Sequence, residues 1–225
     1  QSSTRTMKLY GFNQFPRNQK IILAAQYAGV ELSLVDLNPR AATEAEREEL
    51  KKKNPNLKVP VLETPEGTLF ESNAILRYIA RSNEDSKLYG KDDFERALVD
   101  QFLDWSNGTL EPLSGGVIYP LVGLVKFDKE SYDKSLEGLK KTLRILDDRV
   151  KQSKFLAGDS ITIADFAIFT NLRFIYAFVF DEKSRKPFHH LTKYFETVAN
   201  EENVKKVFGK PVLAKTALQP YTGAL

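Results

Sequence analysis

The apolar pattern of this chain changes period once, and that change limits the folds open to it. Up to about residue 82, short strand-like runs are interleaved with segments of helical spacing. "MKLYGF" (Met7 to Phe12) reads as a strand. "QKIILAAQYAG" (Gln19 to Gly29) puts Ile21, Ile22, Ala25 and Ala28 on one helical face and ends on a glycine suited to a C-cap. "VELSLVDL" (Val30 to Leu37) alternates like a strand. "ATEAEREELKKKN" carries acids early and lysines late, which complements a helix dipole, and Lys51 to Lys53 read as a solvated helix end. Val59 to Leu62 and Thr68 to Phe70 read as strands joined through Pro65-Glu66-Gly67, with Ser72 to Arg81 as the following helix. The order is β-α-β-α-β-β-α. Helices between the first strands require parallel pairing, and the tight turn between the last two requires antiparallel pairing. Residues 7–82 therefore predict a small α/β domain with a mixed sheet.

After residue 82 the strand period does not return. "RSNEDSKLYGKDD" is polar and non-periodic, and residues 83–92 are read as a linker. From 93 to 217 the spacing predicts an all-helical domain. Leu136, Leu139, Leu143, Leu146 and Val150 form one stripe, and "ITIADFAIFTNLRFIYAFVF" is apolar nearly all round, as a buried central helix would be. Thr162 and Asp165 have capping-box spacing at its start, with Ile161 placed as a hydrophobic staple. Both are read as structural. "VIYPLVGLV" is apolar and broken by proline, so it reads as core or as the wall of a cleft between the domains. Residues 218–225 are read as a tail, and residues 1–6, polar and unpatterned, as a flexible end or an expression remnant.

Composition removes several chemistries. The chain has 225 residues, 42% hydrophobic and 28% charged, with a net charge of +3. That balance gives no reason to expect direct nucleic-acid binding or a membrane-binding face. With no cysteine there is no disulfide, thiolate metal site or cysteine nucleophile. The two histidines, His189 and His190, leave little for a histidine metal site. No metal is expected, and the lack of cysteine suits a cytoplasmic protein. Trp105 reads as packing.

The stretch "KVPVLETPEGTLFESNAILRYIA" (Lys58 to Ala80) carries the chemistry that remains. A proline stands beside one strand, and Glu71-Ser72 opens a helix. Two readings stand open. The pair is a cap and a dipole complement, or it grips an anionic ligand at a helix N-terminus.

Together with Thr162-Ile163-Ala164-Asp165, the order of these signals resembles the glutathione S-transferase family from Met7 onward. It implies a thioredoxin-like domain followed by an all-helical one. Within that family "AAQYAGVEL", "KVPVLETPEGTLFESNAILRYIA", "FLDWSNGTLEP", "YPLVG" and "FLAGDSITIADF" look most like the N-terminal domain of the gamma subunits of eukaryotic translation elongation factor 1. The resemblance implies that Val59-Pro60 is a cis peptide whose Val59 backbone groups pair with glutathione. It implies that Ser72 meets the ligand's γ-glutamyl carboxylate, that Glu71 accepts from its ammonium group, and that Lys58 reaches its other carboxylate. Aligned through Leu9-Tyr10 and Gly29, the family's thiol-activating tyrosine position falls on Gly11 and its serine position on Phe15, so the usual group is missing. Asn13, Gln14 and Arg17 are the candidate substitutes. The implied function is a scaffold domain that anchors the nucleotide-exchange subunit and, as a further partner, an aminoacyl-tRNA synthetase. No cofactor is required, and glutathione is a ligand. An active glutathione transferase with a non-standard activating residue is the alternative, and the same fold appended to a synthetase is a third reading. A homodimer through Ser72 to Arg81 and Phe94 to Leu110 is expected.

Overall fold

The computed structural model describes residues 7–221. The expectations for residues 1–6 and for the end of the tail lie outside the described residues. The chain divides into two compact units, residues 1–91 and 92–225.

The first unit holds β1 (Met7–Gly11), α1 (Pro16–Ala28), β2 (Leu32–Asp36), α2 (Glu44–Lys53), β3 (Val61–Thr64), β4 (Gly67–Phe70) and α3 (Ser72–Arg81). Its sheet has the order β2-β1-β3-β4. β1 and β2 are parallel, with Leu9 opposite Leu34. β1 and β3 are antiparallel, with Tyr10 opposite Val61, as are β3 and β4, with Val61 opposite Phe70. The mixed sheet follows from the connections, as the sequence pattern requires.

Alternation divides the two faces of the sheet. Leu9 and Leu62 are fully buried on one side, and α1 and α3 pack against each other with Ile21, Ala24, Ile75, Leu76 and Ile79 inside. On the other side Leu37, Leu50 and Val61 form a small cluster, with Tyr10, Ala42 and Val59 against it. α2 supplies only Leu50 to that cluster, so it holds together by its caps. The Thr43 N–H donates to Glu46 Oε2 at 2.7 Å, and Lys51, Lys52 and Lys53 occupy the last turn.

The element edges differ from the sequence reading in ways that matter for the site. α1 begins at Pro16 rather than Gln19, because a proline fits the first helical turn at no hydrogen-bond cost. β3 begins at Val61 rather than Val59, and the hairpin turn is Pro65-Glu66, with Thr64 paired to Gly67. Lys53 is not a solvated helix end. It pairs with Glu63 at 2.5 Å and lies over the Tyr10 ring.

The second unit is helical among its described residues. α4 (Asp93–Trp105) passes through a π-helical turn (Ser106–Leu110) into α5 (Glu111–Leu121). Then come α6 (Lys129–Val150) and α7 (Ile163–Phe174), the latter with a second π-helical turn (Ile175–Val179). α8 (Glu182–Arg185), a 3-10 turn (Lys186–Phe188), α9 (His189–Asn200) and α10 (Glu202–Phe208) complete it. Asp92, Asp128 and Asp181 cap helix starts by accepting from the N–H groups of Glu95, Ser131 and Ser184.

α7 is the core. Every residue from Ile163 to Leu172 is buried, and the helix packs against α4, α5 and α9. Phe166, Phe169 and Leu172 each contribute about 1.5–3 kcal/mol by leaving water. Asp165 is buried among them. Its carboxylate accepts from the Leu156 N–H (2.9 Å), the Thr162 N–H (2.8 Å), the Thr162 hydroxyl (3.0 Å) and the Tyr194 hydroxyl (2.8 Å). "VIYPLVGLV" divides: α5 runs through Pro120 to Leu121, and Gly123, at φ +72°, turns the chain out of the helix. No helix among the described residues is long and apolar enough to cross a membrane.

Candidate functional site

The sheet topology of the first unit gathers three chain segments at one end. β1 and β4 finish where β3 begins, because Tyr10 and Phe70 both flank Val61. Gly11 to Arg17, Lys58 to Pro60, and Glu71-Ser72 are thereby brought to the same edge from positions far apart in sequence.

Val59-Pro60 is a cis peptide. Among the described residues, no backbone–backbone hydrogen bond outside the helices and strands engages Val59, so its N–H and C=O are open to an extended ligand. The preceding loop is ordered by Asn54, which is 3% exposed. Its Nδ2 donates to the Lys58 C=O at 2.8 Å, and its Oδ1 accepts from the Asn56 N–H at 3.0 Å. The Lys58 side chain is exposed.

Glu71 is the N-cap of α3, at φ +70° and ψ +109°, a strained conformation for a residue with a side chain. Its side chain makes no cap bond and is exposed. Ser72 is the first helical residue. It is 5% exposed, and among the described residues no hydrogen bond engages its hydroxyl. A hydroxyl without a protein partner, beside the N–H groups of a helix start, is suited to an anionic oxygen. Next to it, the fully buried Lys20 donates to Asn73 Oδ1 at 2.7 Å.

Gly11 stands at φ +154°, and the Asn18 side chain occupies the place of its missing Cβ. Oδ1 lies 2.5 Å and Cγ 2.8 Å from where that atom would be. Asn18 is 2% exposed, and its Nδ2 donates to Asn13 Oδ1 at 3.3 Å. Phe15 is partly exposed and stacks at a tilt on Phe12, with ring centroids 4.8 Å apart. Gln14 and Arg17 are exposed, and Arg17 is already engaged by another group. Tyr10 points to the opposite face. Its hydroxyl donates to Glu63 Oε2 at 3.1 Å, and burial, then that bond, raise its pKa.

Asn18, Asn54 and Lys20 were not legible as site residues. A helical wheel treats each as a polar surface position, whereas the fold buries all of them. The signal available for Asn18 was the bare Gly11, since a glycine where a side chain is expected invites a neighbour into its space. Outside this edge, His189 and His190 sit at the start of α9 with ring centroids 3.8 Å apart. Among the described residues, no cluster of three potential metal ligands forms. Trp105 packs edge-on against Phe102.

Residues 5–81 match the family model "Glutathione S-transferase, N-terminal domain", and residues 98–202 match "Glutathione S-transferase, C-terminal domain". The chain is 36% identical over 190 residues to "Elongation factor 1-gamma 2" of Oryza sativa subsp. japonica, covering 84% of this chain and 45% of that protein. It is 35% identical over 210 residues to "Probable elongation factor 1-gamma 1" of Arabidopsis thaliana, covering 90% of this chain and 50% of that one. The chain thus spans about half the length of the curated relatives it matches. Poplar glutathione transferase F1 superposes with a TM-score of 0.79 at 26% identity, covering 90% of this chain and 96% of that one. The GST-like domain of elongation factor 1-gamma from Saccharomyces cerevisiae shares the fold, with a TM-score of 0.81 at 24% identity, covering 97% and 100%.

Proposed function

The chain belongs to the glutathione S-transferase family by both of its domains, and from that premise we propose that it is the glutathione-transferase-like module of a translation elongation factor 1 gamma subunit, working as a scaffold rather than a catalyst. The likeness to the rice and Arabidopsis gamma chains across both units supports the assignment to translation. Its partners there are the nucleotide-exchange subunit and an aminoacyl-tRNA synthetase, in the cytoplasm, with a second copy of the chain as a dimer.

One observation carries the claim that turnover is dispensable. A glutathione transferase needs a donor at the ligand's sulfur to hold it as thiolate. Asn18 fills the space at Gly11, and Phe15 presents a ring. The remainder of the frame suits glutathione. Ser72 and the α3 N-terminus meet the γ-glutamyl carboxylate, Glu71 its ammonium group, the Val59 backbone its cysteinyl unit and Lys58 its far carboxylate. Binding without thiolate stabilisation is weak, with a Kd on the order of 0.1–1 mM.

Affinity capture from a eukaryotic cytosol, read by mass spectrometry, tests the scaffold. Recovery of the exchange subunit in stoichiometric amount is the expected result. Its absence, together with turnover of an aryl halide by the purified chain, favours the second reading, an active transferase. The observation behind that second reading is the amide pair of Asn13, in the turn after β1, and Asn18, in the first turn of α1, which could turn a donor toward sulfur.

A further inference from the structure

A concavity of about 420 Å³ lies in the helical unit, between the end of α6, the loop after it and the first turns of α9. Lys151, Lys154, Lys193 and His190 line it, and no carboxylate does. Several exposed lysines elsewhere on this chain pair with an acid one turn away: Lys52 with Glu49, Lys129 with Asp133, Lys141 with Glu137 and Lys206 with Glu202. Among the described residues none of Lys151, Lys154 and Lys193 is in such a pair. Cations gathered around a hollow without counter-charge repel one another, and a multiply charged anion relieves that repulsion.

The lysine-bearing loop is built rather than loose. The Phe155 N–H donates to the Gly158 C=O at 2.9 Å, the Ser153 hydroxyl to the Phe155 C=O at 2.7 Å, and the Arg149 guanidinium to the Leu156 C=O at 2.6 and 3.1 Å. The Lys154 ammonium lies 4.9 Å from the Phe155 ring centroid, which restrains its stem.

We propose that this hollow binds a compact ligand carrying two or more phosphate groups. Its size suits a di- or triphosphate moiety. Lysines, as point charges with rotatable donors, take phosphate oxygens without the planar fork that carboxylate pairing favours. The lining gives little stacking platform for nucleobases, because the His190 ring already lies against His189, with centroids 3.8 Å apart. Tyr194, its one aromatic ring besides the imidazole of His190, is 3% exposed, with its hydroxyl bound to Asp165. Sequence-tolerant RNA binding relies on such platforms, so a small phosphate ligand fits better than a strand.

Calorimetric titration of the full chain with inorganic triphosphate at low ionic strength tests this. Saturable binding is expected, weakened about tenfold or more by Lys193→Glu or Lys154→Glu, as loss of a charge-assisted contact requires. Lys206→Glu, on α10, should leave it unchanged, and thermal melts check that every variant folds. No saturable heat at millimolar triphosphate overturns the proposal. So does equal loss in Lys206→Glu, which would mean diffuse charge. Binding of an oligoribonucleotide without any binding of triphosphate also overturns it, pointing to RNA instead.

Discussion

Asn18 Cγ lies 2.8 Å from the point where a Cβ on Gly11 would stand, so one side chain fills the space the other residue leaves empty. Any substitution at Gly11 must both displace a buried amide and hold φ near +154°. Gly11→Ala should destabilise the chain by roughly 2–4 kcal/mol, read by urea unfolding. Asn18→Ala in the same chain should recover part of that loss by removing the clash while leaving the backbone strain. Strict additivity of the two changes would show that they do not share the space.

Ser72→Ala separates a grip from a helix start. Loss of a charge-assisted contact should weaken glutathione binding by about 1.5–3 kcal/mol. The unpartnered hydroxyl makes little contribution to the folded state, so stability should change by less than about 0.5 kcal/mol. Calorimetry and unfolding of the same samples decide the matter. A large stability loss with unchanged binding would return Ser72 to a purely structural role.

Asp165 ties α7 to the loop before it and to α9. Asp165→Ala leaves the Leu156 and Thr162 N–H groups and the Tyr194 hydroxyl buried without an acceptor. The expected cost is about 3–5 kcal/mol, since each buried donor left without an acceptor costs about 1–3 kcal/mol. Asp165→Asn keeps one acceptor oxygen and should cost less. Denaturant midpoints of both variants check the order.

Burial pushes the Tyr176 hydroxyl up to about 12, against an ordinary value of 10.0. The folded state therefore keeps its proton where the unfolded chain has lost it. This contribution is fully present below pH 10 and is lost as the pH rises toward 12, at about 1.4 kcal/mol per pH unit. Tyr176→Phe should flatten that part of the stability–pH curve. Guanidinium unfolding at several alkaline pH values, wild type against variant, measures the difference.

The sequence by itself determined the element order of the first unit and the helical nature of the second. Those rest on apolar period and on turn chemistry, which are local. Leu9, Leu62 and the Ile163–Leu172 run are buried because their spacing leaves them no other face. The positions of Val59-Pro60 and Glu71-Ser72 were equally legible, since a proline beside a strand and an acid-hydroxyl pair before a helix are short-range signals.

Only the tertiary structure decided what those residues face. The approach of Asn18 to Gly11, of Asn54 to Lys58 and of Lys20 to Asn73 spans 7, 4 and 53 positions. None of these contacts follows from helical or strand period, because each depends on how a polar side chain turns inward where two segments meet. Lys53 makes the same point: charge patterning places it in water, and the α2–β3 approach sets it against Glu63 and Tyr10. The lysines around the hollow beyond α6 come from a loop and from a helix some forty positions apart. Their like charge becomes a shared field only once the fold has brought them together.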